Sequence, residues 1–577
     1  MILQALTDHY QTLVERGEIA KPGWGPVKVS FALSINEQGT LEQVLFLKSN
    51  QERGKKMVLA PQIIELPAPI KRSSGIAPNF LCDNASYFLG ADNKGKPERS
   101  LACFSACKTL HETVLNGVDS PAAQSLLAFF RSWQPEQAST HPALAEYQEE
   151  LFAGANLIFS FNGRYVHEDP LVCHAWDTYY AAQDSGEKMV CLVTGELGPV
   201  ETVHPPIKNV PGAQSSGAAL VSFNAPAFCS YGKEQNLNAP TSKFASFAYT
   251  SALNHLLADR EHVYHLGDST VVCWAQNGDP SYQELAAFAA FNQSEFYSFQ
   301  DIENVVKSLC CGKAVEFDHS VLDPNMTFYV LGISPNSARL SIRFFLKNSF
   351  GVFLENIQKH QERLKIIKPA YDTFDFIPFW KLLSETVNQN ARDKSPSPHL
   401  AGDVLRSVLT NTPYPATLLN GVALRIRAEQ RITPGRAAIL KAYYLQNPNS
   451  EVPKEVLHVS LNPNSTNVPY NLGRLFSILE AIQSAANPHI STTIKDRYFN
   501  AASSTPAIIF PTLLNLAQKH LKKLDAGLQT YYNKQLSQLM SQLAETFPTR
   551  LNRPQQGSFQ LGYYHQTQAR YEKKEEK

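Results

Sequence analysis

The pattern of apolar and polar positions changes character along this chain. At its start, Ile2, Leu3, Leu6, Tyr10 and Leu13 recur at helical spacing among charged residues. That spacing predicts an amphipathic helix, not the unbroken apolar stretch of a signal peptide. Further on, LEQVLFLK at 41–48, KMVCLVTGE at 188–196, ALVSFN at 219–224 and STVVCWA at 269–275 read as strands. FASFAYTSALNHLLA at 244–258 and FGVFLENIQKHQERLKI at 350–366 read as helices. The mixture is α+β with long loops.

The segment NQNARDKSPSPH at 388–399 is polar and carries prolines, and the composition differs on its two sides. It is the expected main boundary, between a mixed α/β region at 1–390 and a helical bundle at 400–577. Thr433-Pro434 and Thr505-Pro506 each present a capping residue followed by proline at the first helical position. From Leu514 the positions Ala517, Leu521, Leu524, Leu528, Tyr532, Leu536, Leu539 and Leu543 step by threes and fours, while Lys519, Lys522 and Lys523 point elsewhere. One or two antiparallel bundle helices are expected there. No internal repeat is evident, and the terminal EKKEEK reads as a solvated end.

Composition adds scale. The chain has 577 residues, 43% of them hydrophobic, enough for two to four domains at roughly 150 residues each. No run of 18 apolar residues occurs, so a cytoplasmic protein without a membrane span is expected. Nine cysteines, with Cys103 and Cys107 four apart and Cys310 beside Cys311, match no metal spacing and no disulfide framework. Reduced thiols are expected. The formal net charge is zero, but residues 401–577 carry 20 Lys and Arg against 11 Asp and Glu, and residues 1–400 carry 32 against 41. A basic C-terminal third permits a polyanionic partner there.

Catalytic chemistry finds little support in the residues. Ala213-Gln214-Ser215-Ser216-Gly217 fits a loose nucleophile elbow, but an elbow needs a strand before it and a helix after, and a strand-like run follows instead. There is no phosphate-cradling G-x-x-x-x-G-K-[ST]. His167, His174 and His204 lack ligand spacing, and Glu168-Asp169 reads as a solvated turn. The residues favour a binding protein with no cofactor and no bound metal. A metal-dependent nuclease or another hydrolase is the alternative.

The stretch GAQSSGAALVSFNAPAFCSYGKEQ at 212–235 is unusual. Gly212 to Gly217 are all small or amide residues, which allow close approach of a partner and offer donors and acceptors without charge. Together with Val193-Thr194-Gly195-Glu196, His204-Pro205-Pro206-Ile207-Lys208, Asn238-Ala239-Pro240 and GDSTVVCWA, this stretch resembles the large subunit of the subtype I-C CRISPR surveillance complex, Cascade. The resemblance extends to NFLCDNASYFLG at 79–90, FYVLGISPNSARLSIRFF at 328–345, PYPATLL at 413–419, GRAAILKAYYL at 435–445, NLGRLF at 471–476 and QGSFQLGYYHQ at 556–566. It covers essentially the whole chain.

The resemblance implies a non-catalytic subunit that joins guide RNA and the Cascade backbone subunits. Such a subunit recognises the protospacer-adjacent motif in double-stranded target DNA, promotes R-loop formation, steadies the displaced strand and precedes a separate helicase-nuclease. It also implies that the helical region resembles the small subunit of other Cascades and is sometimes made separately from an internal start. The methionines are Met1, Met57, Met189, Met326 and Met540, so a start near 450 needs a non-Met codon such as that of Val452 or Val456.

On this reading the motif is met in the minor groove, where amides, hydroxyls and close backbone discriminate better than long charged forks. Gln214, Ser215, Ser216 and Asn224 are the candidates, with Lys233 on a phosphate. A second loop, Lys71 to Gly75, adds Arg72 and Ser74 and leads into Asn79. For the displaced strand the candidates are Arg425, Arg427, Arg431, Arg436, Lys441, Lys495, Arg497, Lys519, Lys522 and Lys523, about half of which are expected to touch DNA. Tyr443 and Tyr444 offer rings for stacking, although packing between helices is the ordinary role of such a pair.

Overall fold

FALSI at 31–35 is apolar almost without alternation, which marks a strand covered on both faces. In the computed structural model, Phe31–Ile35 is central to the N-terminal sheet, pairing antiparallel with Leu41–Phe46 and parallel with Asn156–Phe161. Phe31, Leu33, Leu157 and Phe159 pack with Leu126, Phe129 and Phe130 of helix Pro121–Ser132 and Cys107 of helix Pro97–Leu115. Ala32 and Ile158 form a second cluster with Val27, Val29 and Leu66, from the hairpin Trp24–Val29 and Gln62–Pro67.

The structure describes residues 1–53, 56–70, 75–183, 186–291, 299–317, 320–370, 372, 377–392, 394–447, 451–543 and 545–571. They form an α+β protein of two compact units. The first is Met1–Pro205 with Val221–His255, and the second is Pro206–Leu220 with Leu256–Lys577.

In the first unit, helix Ile2–Glu15 buries Leu6, Tyr10 and Leu13, as its spacing predicts. Tyr10 meets Phe247 of helix Lys243–Ala258 edge to face, with ring centroids 5.7 Å apart. The block NFLCDN owes its form to a buried histidine. Leu81 adopts a left-handed φ of +59°, unusual for a side chain of its size. Its N–H donates to His111 Nε2 at 3.1 Å, and His111 Nδ1 donates to the Cys107 carbonyl at 2.8 Å. Burial holds this histidine neutral and lowers its pKa to about 4. Cys103 and Cys107 are thus core residues, and all nine cysteines are free thiols.

The second unit holds an antiparallel sheet in the order Tyr264–Leu266, Ser269–Ala275, Thr327–Asn336, Arg339–Ser349. Val271, Cys273, Phe328 and Val330 share one core with Phe350, Phe353 and Ile357 of helix Phe350–Leu364 and with Leu405 and Leu409 of helix Pro398–Thr410. Polar bonds tie the same elements together. Asn356 Nδ2 donates to the Leu409 carbonyl at 2.8 Å, and His360 Nδ1 lies 2.6 Å from the Tyr414 hydroxyl. The segment 388–399 therefore lies inside the second unit, whose core runs on from Tyr264 to Tyr564. Its polar composition marks an outer connection between helices that share a core.

The C-terminal helices follow their capping signals in part. Thr433 accepts the Arg436 N–H at 3.1 Å, the expected cap. Thr505 precedes the proline of helix Pro506–Leu521 but makes no side-chain cap; its hydroxyl donates back to Ala501. The stripe from Leu514 is carried by two helices, Pro506–Leu521 and Ala526–Met540, divided where Asp525 accepts the Leu528 N–H at 2.9 Å.

Candidate nucleic-acid interface

The loop 208–217 is built on the second unit's sheet. At its neck, Ile207 and Ala218 exchange both N–H···O bonds at 2.9 Å. One residue on, Ala219 bridges in parallel to Arg339 at the start of the edge strand: its N–H donates to the Ala338 carbonyl at 2.9 Å and its carbonyl accepts the Leu340 N–H at 3.0 Å. The ladder ends after that rung, so ALVSFN is not the strand its composition predicts; the chain leaves the sheet edge and crosses into the first unit at Val221. KMVCLVTGE likewise supplies only the short strand Lys188–Val190, whereas LEQVLFLK and STVVCWA form strands at Leu41–Phe46 and Ser269–Ala275.

Two turns shape the loop. Ala213 N–H reaches the Val210 carbonyl at 3.1 Å across Pro211-Gly212, where Gly212 has φ +80°, the sign that a Pro-Gly type II turn requires. Gly217 N–H then reaches the Gln214 carbonyl at 2.9 Å. Gly217 has φ +101°, and a Cβ there would lie 2.8 Å from the Ile207 carbonyl oxygen, so glycine is demanded by the neck itself. Gln214, Ser215 and Ser216 project at the tip and are exposed. No helix follows Ser215, so the strand-elbow-helix arrangement of a hydrolase is not formed.

Asn224 and Lys233 belong to the first unit and are also exposed. Their segment is fastened by backbone bonds to the hairpin Lys188–Val190 and Leu197–Pro199. Leu192 N–H donates to the Pro240 carbonyl at 2.9 Å, and Glu201 N–H to the Thr241 carbonyl at 2.9 Å. The buried Cys191 Sγ accepts the N–H groups of Val193 and Ser242; burial raises its pKa, but hydrogen bonds from Ser242 and Thr194 outweigh that and lower it to about 7. Asn79 is half-buried and structural: its Oδ1 accepts the Ile70 N–H at 2.9 Å. Arg72 and Ser74 lie outside the described residues.

The cationic candidates divide by burial. Arg427, Arg431, Arg497, Lys519, Lys522 and Lys523 are exposed, and Lys495 is half-buried. The Arg427 carbonyl accepts Asn500 Nδ2 at 3.0 Å, which brings the end of helix Ala416–Glu429 against helix Ile494–Ser504, one turn from Arg497. Lys523 Nζ lies 3.5 Å from Asn487 Oδ1. Arg425 is partly occupied by Glu429, 3.6 Å away. Arg436 and Lys441 depart from the expectation: each is only 2% exposed. Arg436 pairs with Glu429 at 2.7 Å and with Glu385 at 3.4 Å and donates to the Arg431 carbonyl at 2.9 Å, which makes it an internal clamp. Burial lowers Lys441 to about 8. Both sit on the core face of helix Pro434–Gln446, where period alone does not separate a cation with buried partners from one in water. Tyr444 is buried beside the half-buried Tyr443, edge to face, so this pair packs helices.

A family model described as CRISPR-associated protein (Cas_Csd1) matches residues 6–571. The chain belongs to this family. No curated protein matches it. In this Cas_Csd1 member, His204 is a core residue bonded to the Tyr249 hydroxyl at 2.7 Å and held to about 4 by burial, while His174 is exposed. Among the described residues, no three His, Cys, Asp or Glu side chains converge as a metal site would require, and no helix is long and apolar enough to cross a membrane.

One residue beside Lys233 was not singled out by composition. Tyr231 is exposed in a left-handed backbone conformation, which costs a bulky side chain roughly 1 kcal/mol. The sequence signal was a tyrosine before glycine in a tight turn, the place where asparagine is the ordinary choice.

Proposed function

We propose that this CRISPR-associated protein is a non-catalytic large subunit of a subtype I-C Cascade. It recognises the protospacer-adjacent motif in target duplex DNA, promotes opening and R-loop formation, and holds the displaced strand for a separate helicase-nuclease. The observation that carries the reading is the loop 208–217: a glycine-shaped turn pair, locked to a sheet edge, that presents Gln214, Ser215 and Ser216 to the outside. A rigid backbone with exposed amide and hydroxyl groups suits the minor groove, where the guanine amine and the shared acceptors are the features to be told apart.

The combined change Gln214→Ala and Ser215→Ala is expected to flatten discrimination in the assembled complex. Binding to a panel of duplexes that differ in the motif should narrow by about tenfold, since a good base contact discriminates by roughly 1–3 kcal/mol. Equal weakening on every duplex would instead assign the loop to phosphate contact.

For the displaced strand, the reading is supported by the exposed group Arg427, Arg431, Arg497, Lys519, Lys522 and Lys523. Each phosphate neutralised on a single strand contributes about −0.7 to the slope of log K against log salt. Charge reversal at Arg427 and Arg431 should therefore make R-loop formation less salt-dependent by a slope of about 1.4 and lower its yield on matched targets. Complex assembly should be intact. An unchanged yield and slope would remove these arginines from the strand path.

A further inference from the structure

Tyr231 is 99% exposed and has φ +55°, and the next residue, Gly232, has φ +69°. With Lys233 N–H bonded to the Ser230 carbonyl at 3.0 Å, two successive left-handed residues make a type I′ turn. The turn is held from below by one side chain. Asn238 Oδ1 accepts the Ser230 N–H at 2.8 Å, and its Nδ2 donates to the carbonyls of Lys233 at 3.0 Å and Gln235 at 2.9 Å. Asn238 leads directly into Pro240 and Thr241, whose carbonyls are bonded to the hairpin segment. A braced base thus raises an aromatic ring that packs on nothing among the described residues of its unit, in a backbone conformation that asparagine or glycine would adopt more easily. Packing does not account for such a residue, whereas contact with a ligand would.

The chemistry of the tip says which ligand. Lys233, two residues on from the ring across the open backbone of Gly232, is exposed as well. A π-face for a base next to a cation for its phosphate is the pairing that holds unpaired nucleotides. A base inside an intact duplex already has both faces covered, so a ring gains a face only where the stack is interrupted. We propose that Tyr231 stacks on an unpaired nucleobase of target DNA at the point where the duplex first opens, with Lys233 on the adjoining phosphate. This rests on the DNA-recognition reading above.

The test uses the complete guide complex carrying the natural residue, Tyr231→Phe or Tyr231→Asn, on duplex targets with 2-aminopurine at successive positions beside the motif. A parallel arm places the label in the guide RNA. The expected result is quenching at one DNA position with tyrosine and phenylalanine, and its loss with asparagine together with about tenfold weaker R-loop formation. The melting midpoint of the asparagine variant should match or exceed the natural one, because the turn is relieved. The proposal is overturned if the asparagine variant forms R-loops normally, if phenylalanine is as defective as asparagine, if quenching appears only in the RNA arm, or if the variant is lost from the complex, which would mark a protein contact. Failure of the broader reading looks different: the natural complex would then bind duplexes without regard to the motif.

Discussion

Replacing Gly562 by alanine is expected to separate two helices and lower the stability of the second unit by roughly 3 kcal/mol or more, although alanine is the better helix former by about 1 kcal/mol. Helices Val468–Ala486 and Arg553–Ala569 approach through Gly473 and Gly562. A Cβ at Gly562 would lie 2.8 Å from the Tyr470 carbonyl carbon and nearer still to its oxygen, and one at Gly473 would lie 2.8 Å from the Phe559 carbonyl carbon. The obstacle at each position is backbone, which cannot rotate aside, so the helices must part. Parting them strains the buried bonds between them, including Tyr563 to Glu480 at 2.6 Å, Tyr470 to His565 at 2.9 Å and Arg474 to Gln566 at 3.2 Å. Gly402→Ala is the control: its Cβ would meet Ser269 Oγ at an ordinary 3.4 Å, and propensity should then prevail. Thermal or urea unfolding of the full chain measures both. A midpoint for Gly562→Ala equal to or above the natural one would show that the contact is not tight.

The second large effect is acid lability. Burial lowers His9 to about 3, His111 to about 4 and His204 to about 4 in the first unit. In the second unit burial lowers His360 to about 3, assisted by Arg363, and His565 to about 3. Each is neutral in the fold and protonates near 6.5 once unfolded, so protons favour the unfolded chain. Their contribution is complete above pH 7 and falls as pH drops through 6.5, continuing until the folded values are reached. Between pH 7 and pH 5 the loss is about 2 kcal/mol per histidine, hence about 6 for the three of the first unit and about 4 for the two of the second. That is a large part of the stability of an ordinary domain. Unfolding midpoints should fall steeply over this range, and His360→Gln should reduce proton uptake on unfolding by about one. Midpoints that stay level from pH 7 to pH 5 would mean that these rings are solvated.

Much of the fold was legible in the chain. The period of Ile2 to Leu13, the strand STVVCWA, the helix from Phe350 and the cap at Thr433 all follow from local spacing and local hydrogen bonding, and each formed where expected. So did the exposed tip at Gln214 to Ser216, because glycine and proline specify turns through their own backbone limits. The run ALVSFN failed as a strand because the chain bridges the edge strand Arg339–Ser349 once, at Ala219, and then leaves it, so the rest of the run has no neighbour to pair with. Arg436 and Lys441 are basic positions within helical sequence, as Arg427 is; only the packing of their helix puts Glu385 and Glu429 around Arg436 and buries Lys441 enough to lower its pKa to about 8.

What the residue order determines by itself is therefore local: which segments coil or extend, where turns must fall, and which broad family the blocks resemble. The tertiary structure alone decided that 388–399 joins helices of a single core, that two of the cationic candidates are interior, and that Tyr231 stands outward on a strained turn. The reason is physical. Propensity, periodicity and turn geometry act over a few neighbouring residues, whereas burial, the partner of a charge and the closeness of two helices depend on segments that the chain brings together from far apart.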